Sequence, residues 1–149
     1  MALSTPDSHA PQQNHLLDAL PTAERERIYP HLQLVEMPLG KVVHEPGTVH
    51  RYAYFPTDCI VSLLYILADG ASTEISIVGN DGLVGVALFM GGGTTPRRAV
   101  VQSGGYAYRL PGQKLREEFH RNAAIRLLLL RYTQALITQM AQTVVCNRH

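Results

Sequence analysis

Tryptophan is absent from this 149-residue sequence, and cysteine occurs only twice, at Cys59 and Cys146. Without a C-x-x-C pair, zinc knuckles and thioredoxin-type redox sites are excluded, and two thiols are too few for an all-cysteine iron–sulfur cluster. One disulfide is conceivable, but reduced thiols are expected in a chain read as cytoplasmic, each a small buried hydrophobe. No apolar run approaches the roughly 18 residues of a membrane span. The first 14 residues lack the basic-then-apolar order of a secretory signal. Excess charge is also missing: 13 Lys+Arg against 12 Asp+Glu leave a formal net charge of +1. So balanced a chain has no electrostatic footprint for nucleic acid. P-loop, dinucleotide-binding, nucleophile-elbow and zinc-protease patterns do not occur, so no enzyme activity is expected.

What is present suits one globular domain. Hydrophobic residues make up 46% and charged residues 17%, enough to bury a core. Residues 1–13 read as a disordered leader. Asn14 is placed to cap a short helix at His15-Leu16-Leu17, and Thr22 to cap a second one with Glu24 and Glu26 in its first turn. From about Leu32, eight β-branched and aromatic runs alternate with Gly/Pro/Asp breaks: Leu34–Met37, Val42–His44, Arg51–Phe55, Ile60–Ile66, Thr73–Val78, Leu83–Phe89, Ala99–Gln102 and Tyr106–Leu110. Turn signals roughly 8–12 residues apart imply a sandwich or barrel. Asp69-Gly70 is the hairpin turn expected most firmly.

After Leu110 the texture becomes helical. Pro111 suits the first turn of a helix through Phe119, and Asn122 suits the cap of a longer one from Ala123 to Asn147. Ile125, Leu129, Tyr132, Leu136 and Met140 recur at helical spacing, and Leu127, Leu128 and Leu130 widen the apolar surface beyond one face. A helix apolar on two faces needs two partners, so those five residues are expected to form a dimer seam with a second copy. Residues 1–110 hold seven basic and ten acidic residues, and residues 111–149 hold six and two. The basic charges on the helix are dispersed, as on a solvated face. No Gly, Asn or Pro stop follows the last periodic positions, so the helix is expected to continue past His149; the chain then reads either as part of a longer regulator or as a stand-alone sensor.

Two segments narrow the reading. Gly79-Asn80-Asp81-Gly82-Leu83-Val84-Gly85-Val86-Ala87-Leu88-Phe89 is a Gly-rich turn feeding an apolar stretch, followed by Pro96-Arg97-Arg98-Ala99-Val100-Val101. Together they resemble the phosphate-binding cassette of cyclic-nucleotide-binding domains in the Crp/Fnr transcription-regulator family. Val43-His44-Glu45-Pro46-Gly47 and Tyr54-Phe55-Pro56 are similar to that family's β-roll. The resemblance spans about residues 14–149.

It implies an α+β chain, mainly β: an eight-stranded β-roll or jelly roll over residues 14–122 with short N-terminal helices, then a long dimerisation helix over 123–149. It implies a cytoplasmic homodimer that senses an effector and reaches DNA only through a C-terminal helix-turn-helix that this chain lacks. The ligand site it implies comprises Gly82, Val84, Gly85, Val86, Arg97, Arg98, Ala99 and Tyr132, with Gln139 a further helix-borne contact. Arg97 or Arg98 would hold an anion, helped by backbone N–H groups of the turn. The Gly91-Gly92-Gly93 loop beside them would supply mobility. Nucleotide-binding members carry a glutamate that accepts the ribose 2′-hydroxyl; here that slot is Val86 or Gly85. Losing this acceptor costs about 1–3 kcal/mol, roughly ten- to hundred-fold in affinity, so the effector is expected to be other than a cyclic nucleotide, or absent.

Two other readings remain open on the sequence. One is a cupin-like small-molecule or metal-binding roll using His31, His44, His50 and His120. His44 and Glu45 would then point to opposite faces of a strand, while His44 and His50 flank a turn that permits convergence. No metal is expected, because no ligand-spacing motif is present. The other is a purely structural dimerisation module built on the long helix.

Overall fold

Short runs rich in β-branched and aromatic residues form seven strands in the described residues of the computed structural model, 6–91 and 95–147. They are β1 (Gln33–Met37), β2 (Val42–His44), β3 (Tyr52–Pro56), β4 (Ile60–Ile66), β5 (Ser72–Val78), β6 (Arg97–Ser103) and β7 (Gly105–Pro111). One sheet has the order β1-β7-β3, the other β2-β6-β4-β5, and every pairing is antiparallel. The β4–β5 hairpin turns at Asp69-Gly70: Gly70 takes φ +88°, and the Asp69 carboxylate accepts from the Ala71 amide at 2.9 Å. This architecture is the β-roll expected from the sequence, with one strand fewer.

The missing strand is Leu83–Phe89. Only Val84 pairs, donating to the Tyr54 carbonyl at 2.8 Å and accepting from the Tyr54 amide at 3.0 Å. Gly85 then takes φ +122° and starts a 3-10 turn, Val86–Leu88. An L side chain rarely adopts that φ, so the ladder stops there. The run is apolar because the turn is buried, and its composition alone does not separate a buried turn from a buried strand.

Four α-helices flank the sheets: α1 (His15–Asp18), α2 (Thr22–Ile28), α3 (Gly112–Arg121) and α4 (Ala123–Asn147). Asn14 caps α1 as expected, its Oδ1 accepting from the Leu16 and Leu17 amides. Asn122 caps α4, accepting from the Ile125 amide at 3.0 Å. Two local expectations shift. Thr22 lies inside α2, with Pro21 as cap and no side-chain cap bond. Pro111 ends β7 and caps α3, which begins at Gly112 and runs to Arg121. The leader expected over 1–13 is ordered in its described part. Residues 6–13 form two 3-10 turns, and the His9 ring packs 4.6 Å from Tyr106 while Nδ1 shares a 2.7 Å hydrogen bond with Thr57.

Apolar side chains pack in two clusters divided by the β1-β7-β3 sheet. Ala53 and Phe55 of β3 face the helices beside Leu17, Leu115 and Ile125, whereas Tyr54 faces the space between the sheets beside Val61 and Val101. This two-residue alternation explains why β3 is apolar on both sides. Cys59 is a free, buried thiol, and burial pushes its pKa up to about 12. The Cys146 side chain lies outside the described set. No helix among the described residues is long and apolar enough to cross a membrane.

The five residues expected at a dimer seam face inward. Ile125, Leu129 and Leu136 are buried against the roll, and Tyr132 and Met140 pack half-buried beside them. The outward apolar residues of α4 are Leu127, Leu130 and Ile137, 50%, 41% and 48% exposed. Helical spacing identified an apolar stripe correctly but not its partner. The roll already buries that stripe.

Candidate functional site

The Gly79–Gly82 turn brings the chain beneath α4. Gly82 is buried, and a Cβ there would collide with the Tyr132 ring. The Asn14 amide donates to the Gly82 carbonyl at 2.8 Å and to the Pro56 carbonyl at 3.0 Å. From this anchored turn, Leu83 to Ala87 line one wall of a cavity of about 30 Å³ against the four-stranded sheet. His44 from β2, Arg97 and Ala99 from β6, and Leu136 from α4 line other parts of it, with His50 and Thr95. That volume holds one or two water-sized groups, since a water needs roughly 10–15 Å³ by the same measure. A larger cleft of about 280 Å³ lies between the cassette and α4. It shares Val86, Ala87, Thr95, Arg97 and Leu136 with the cavity, and adds Met90, Ile137 and Met140.

The two arginines separate. Arg97 lines the cavity, half-buried, and its guanidinium makes no ion pair or side-chain hydrogen bond among the described residues. Burial lowers its pKa. Arg98 points to the opposite face of β6, where its Nε lies 2.5 Å from Glu45 Oε1. Of the expected site residues, Val84, Gly85, Val86, Arg97 and Ala99 line the cavity together, and Gly82 supports its wall. Tyr132 and Gln139 do not line it. The Tyr132 hydroxyl donates to the Leu83 carbonyl at 3.3 Å from outside, and Gln139 accepts from the Ser76 hydroxyl. Gly92, Gly93 and Thr94 lie outside the described residues, and with them the centre of the triple-glycine loop.

His44 and His50, weighed from the sequence only as metal-ligand candidates, line the cavity together. Their rings stack in parallel, with centroids 3.5 Å apart and planes 7° apart. Both residues are buried, and neither His50 ring nitrogen has a hydrogen-bond partner among the described residues. Burial pushes the His44 pKa down to about 4, with His50 adding a smaller effect. Burial also lowers the His50 pKa, and the nearby Arg97 charge adds to it. The only hint in the sequence was that both flank one turn. His31 and His120 are exposed elsewhere, and no group of three or more His, Cys, Asp or Glu among the described residues could hold a metal ion.

No family profile matches this sequence, and no curated protein does. Solved structures do. The sensor domain of the transcriptional regulator DNR from Pseudomonas aeruginosa superposes with TM-score 0.67 at 18% identity, covering 89% of this chain and 87% of that one. The Thermus thermophilus catabolite activator protein gives 0.63 at 18%, covering 93% of this chain and 61% of that one. The regulatory subunit of a cAMP-independent protein kinase A from Trypanosoma brucei gives 0.68 at 17%, covering 81% and 43%. This chain thus spans less than two thirds of the last two. The fold is the cyclic-nucleotide-binding-domain-like β-roll, the one carried by sensor domains of Crp/Fnr-type regulators. One roll serves transcription regulators and a kinase subunit alike, so function has to be argued from the site.

Proposed function

We propose that this chain is the effector-sensing and dimerisation part of a Crp/Fnr-like transcription regulator, with an anionic effector other than a cyclic nucleotide. The observation that carries this is Arg97, a half-buried guanidinium with no ion pair among the described residues, on the wall of a cavity that no described carboxylate lines. An unpaired buried charge is costly, and an anion relieves it. Neither the cavity nor the adjoining cleft is lined by an Asp or Glu among the described residues, so the carboxylate that accepts a ribose 2′-hydroxyl in nucleotide-binding members has no counterpart there. The resemblance to the DNR sensor domain and the catabolite activator protein supports the regulatory role.

Leu136 of α4 lines both the cavity and the cleft, so an occupant changes how the cassette packs on α4. Such differential contact biases a two-state equilibrium, which α4 would pass to a partner copy and to a DNA-binding domain beyond this chain. Dimerisation would use Leu127, Leu130 and Ile137, the outward apolar residues of α4. The regulator would act in the cytoplasm, without catalysis.

Calorimetric titration with cyclic AMP and cyclic GMP tests the effector reading, with Arg97→Ala and Arg98→Ala as controls. No heat from either nucleotide is expected. Micromolar binding lost in Arg97→Ala but kept in Arg98→Ala would make the chain a cyclic-nucleotide sensor and overturn the exclusion.

A further inference from the structure

We infer that His44, His50 and Arg97 form a proton-coupled seat for the carboxylate of an apolar organic acid, whose hydrocarbon body occupies the cleft between the cassette and α4. The inference rests on the reading above that Arg97 receives an anion, and it names the ligand class and a pH dependence for that site.

His50 is 4% exposed, and both its ring nitrogens are buried without partners among the described residues. Buried polar atoms are nearly always satisfied, so an orphaned pair on a cavity wall marks a missing partner. Parallel stacking prevents the two rings from bonding each other, because their N–H and lone-pair directions lie in the ring planes. Neither His50 nitrogen is therefore spent on the His44 ring, and His50 lies on the cavity wall.

On its other side His44 shares a cleft with Glu45 and Arg51. Arg97 approaches from β6, and Tyr54 of β3 meets His44 edge-on at 5.9 Å. Glu45, next to His44, is turned outward to Arg98. The cassette and α4 present Leu83, Val84, Val86 and Leu136. Burial and Arg97 therefore keep the empty pair neutral. A carboxylate between guanidinium and imidazole inverts that balance, and one proton moves from solvent onto the pair. The complex then holds one guanidinium, one imidazolium and one carboxylate, the same net charge as the guanidinium with two neutral imidazoles.

Size and lining select the rest of the ligand. About 30 Å³ accommodates a compact head group rather than a sugar phosphate. The adjoining cleft of about 280 Å³ is walled by Met90, Leu136, Ile137 and Met140. Its buried hydroxyl, Thr133, is already spent on the Leu129 carbonyl at 2.8 Å. A monocarboxylate with an alkyl or aryl body matches both compartments.

Calorimetry of the full chain with octanoate and benzoate, in buffers of different ionisation heat, tests this. Uptake approaching one proton per bound ligand is expected, with affinity weakening up to about tenfold per pH unit above neutrality. Arg97→Ala should lose binding. His50→Phe and His50→Gln should retain weaker binding but lose the proton uptake, with thermal melts confirming that each folds. In an imidazole NMR spectrum, octanoate should shift the His44 and His50 resonances. Carboxylate binding without proton uptake would overturn the histidine role. Arg97-dependent binding of inorganic phosphate, but of no carboxylate, would overturn this inference and leave the anion reading intact. No binding of phosphate, nucleotide or carboxylate would overturn both.

Discussion

The Asn14 side-chain amide donates to the Gly82 carbonyl at 2.8 Å, tying the first helix to the turn that carries the cassette. The same amide reaches the Pro56 carbonyl, and the Asn14 Oδ1 caps α1. One fully buried side chain thus satisfies four backbone groups from three parts of the chain. Asn14→Ala is expected to lower unfolding free energy by more than the ~1 kcal/mol of an ordinary cap loss, because two buried carbonyls also lose their donor. Asn14→Asp keeps the cap acceptor but cannot donate, so it should rescue little. Denaturant unfolding of both variants checks this; an Ala variant within ~0.5 kcal/mol of the parent would refute it.

A Cβ at Gly82 would lie within 2.6 Å of the Tyr132 ring carbons. Gly82→Ala should therefore destabilise the protein by about 1–3 kcal/mol through overpacking. Tyr132→Ala is destabilising alone, but the double variant should be less destabilised than the sum of the two. A double-mutant cycle reads that coupling directly. Additivity would show that the turn and α4 adjust independently.

Acid should weaken the fold through His44. Its folded pKa is about 4 against 6.5 for an unperturbed histidine, so the unfolded chain binds more protons between those values. Stability contributed by this group is present above pH 6.5 and is lost as pH falls toward 4, at up to about 1.4 kcal/mol per pH unit. His44→Phe should flatten that part of the stability–pH curve. An unchanged slope in the variant would assign the acid sensitivity elsewhere.

The two sides of α4 should respond differently to substitution. Leu129→Ala, on the buried side, should cost about 2–5 kcal/mol as a core cavity. Leu127→Glu and Leu130→Glu, on the outward side, should leave monomer stability within about 0.5 kcal/mol and shift a dimer to monomer. Sedimentation equilibrium separates the cases. A parent chain that is monomeric at high micromolar concentration would defeat the dimer reading.

Features that depend on near neighbours were legible before the fold was seen. Asn14 and Asn122 cap because an Asn oxygen reaches an amide two or three residues ahead. Asp69-Gly70 turns because glycine tolerates φ +88° there. The Leu83–Phe89 run was misassigned because continuous apolarity reports burial, not backbone direction. Ile125, Leu129 and Leu136 were correctly grouped on one helix face, yet nothing in a 3.6-residue period says whether that face meets the roll or another copy.

Turn chemistry and apolar periodicity sufficed for a sandwich or barrel with a long helix, and the resemblance carried by the Gly-rich segment and its following arginines narrowed this to a β-roll. They act over a few residues, so they survive without tertiary context. That Arg97 lines the cavity while Arg98 pairs with Glu45 depends on which face of β6 looks inward, and that follows from its register with β4 and β2. The His44–His50 stack and its meeting with Arg97 arise from loops and strands 47 to 53 residues apart in sequence. Only chain closure brings such groups to one cavity, where burial then sets their charge.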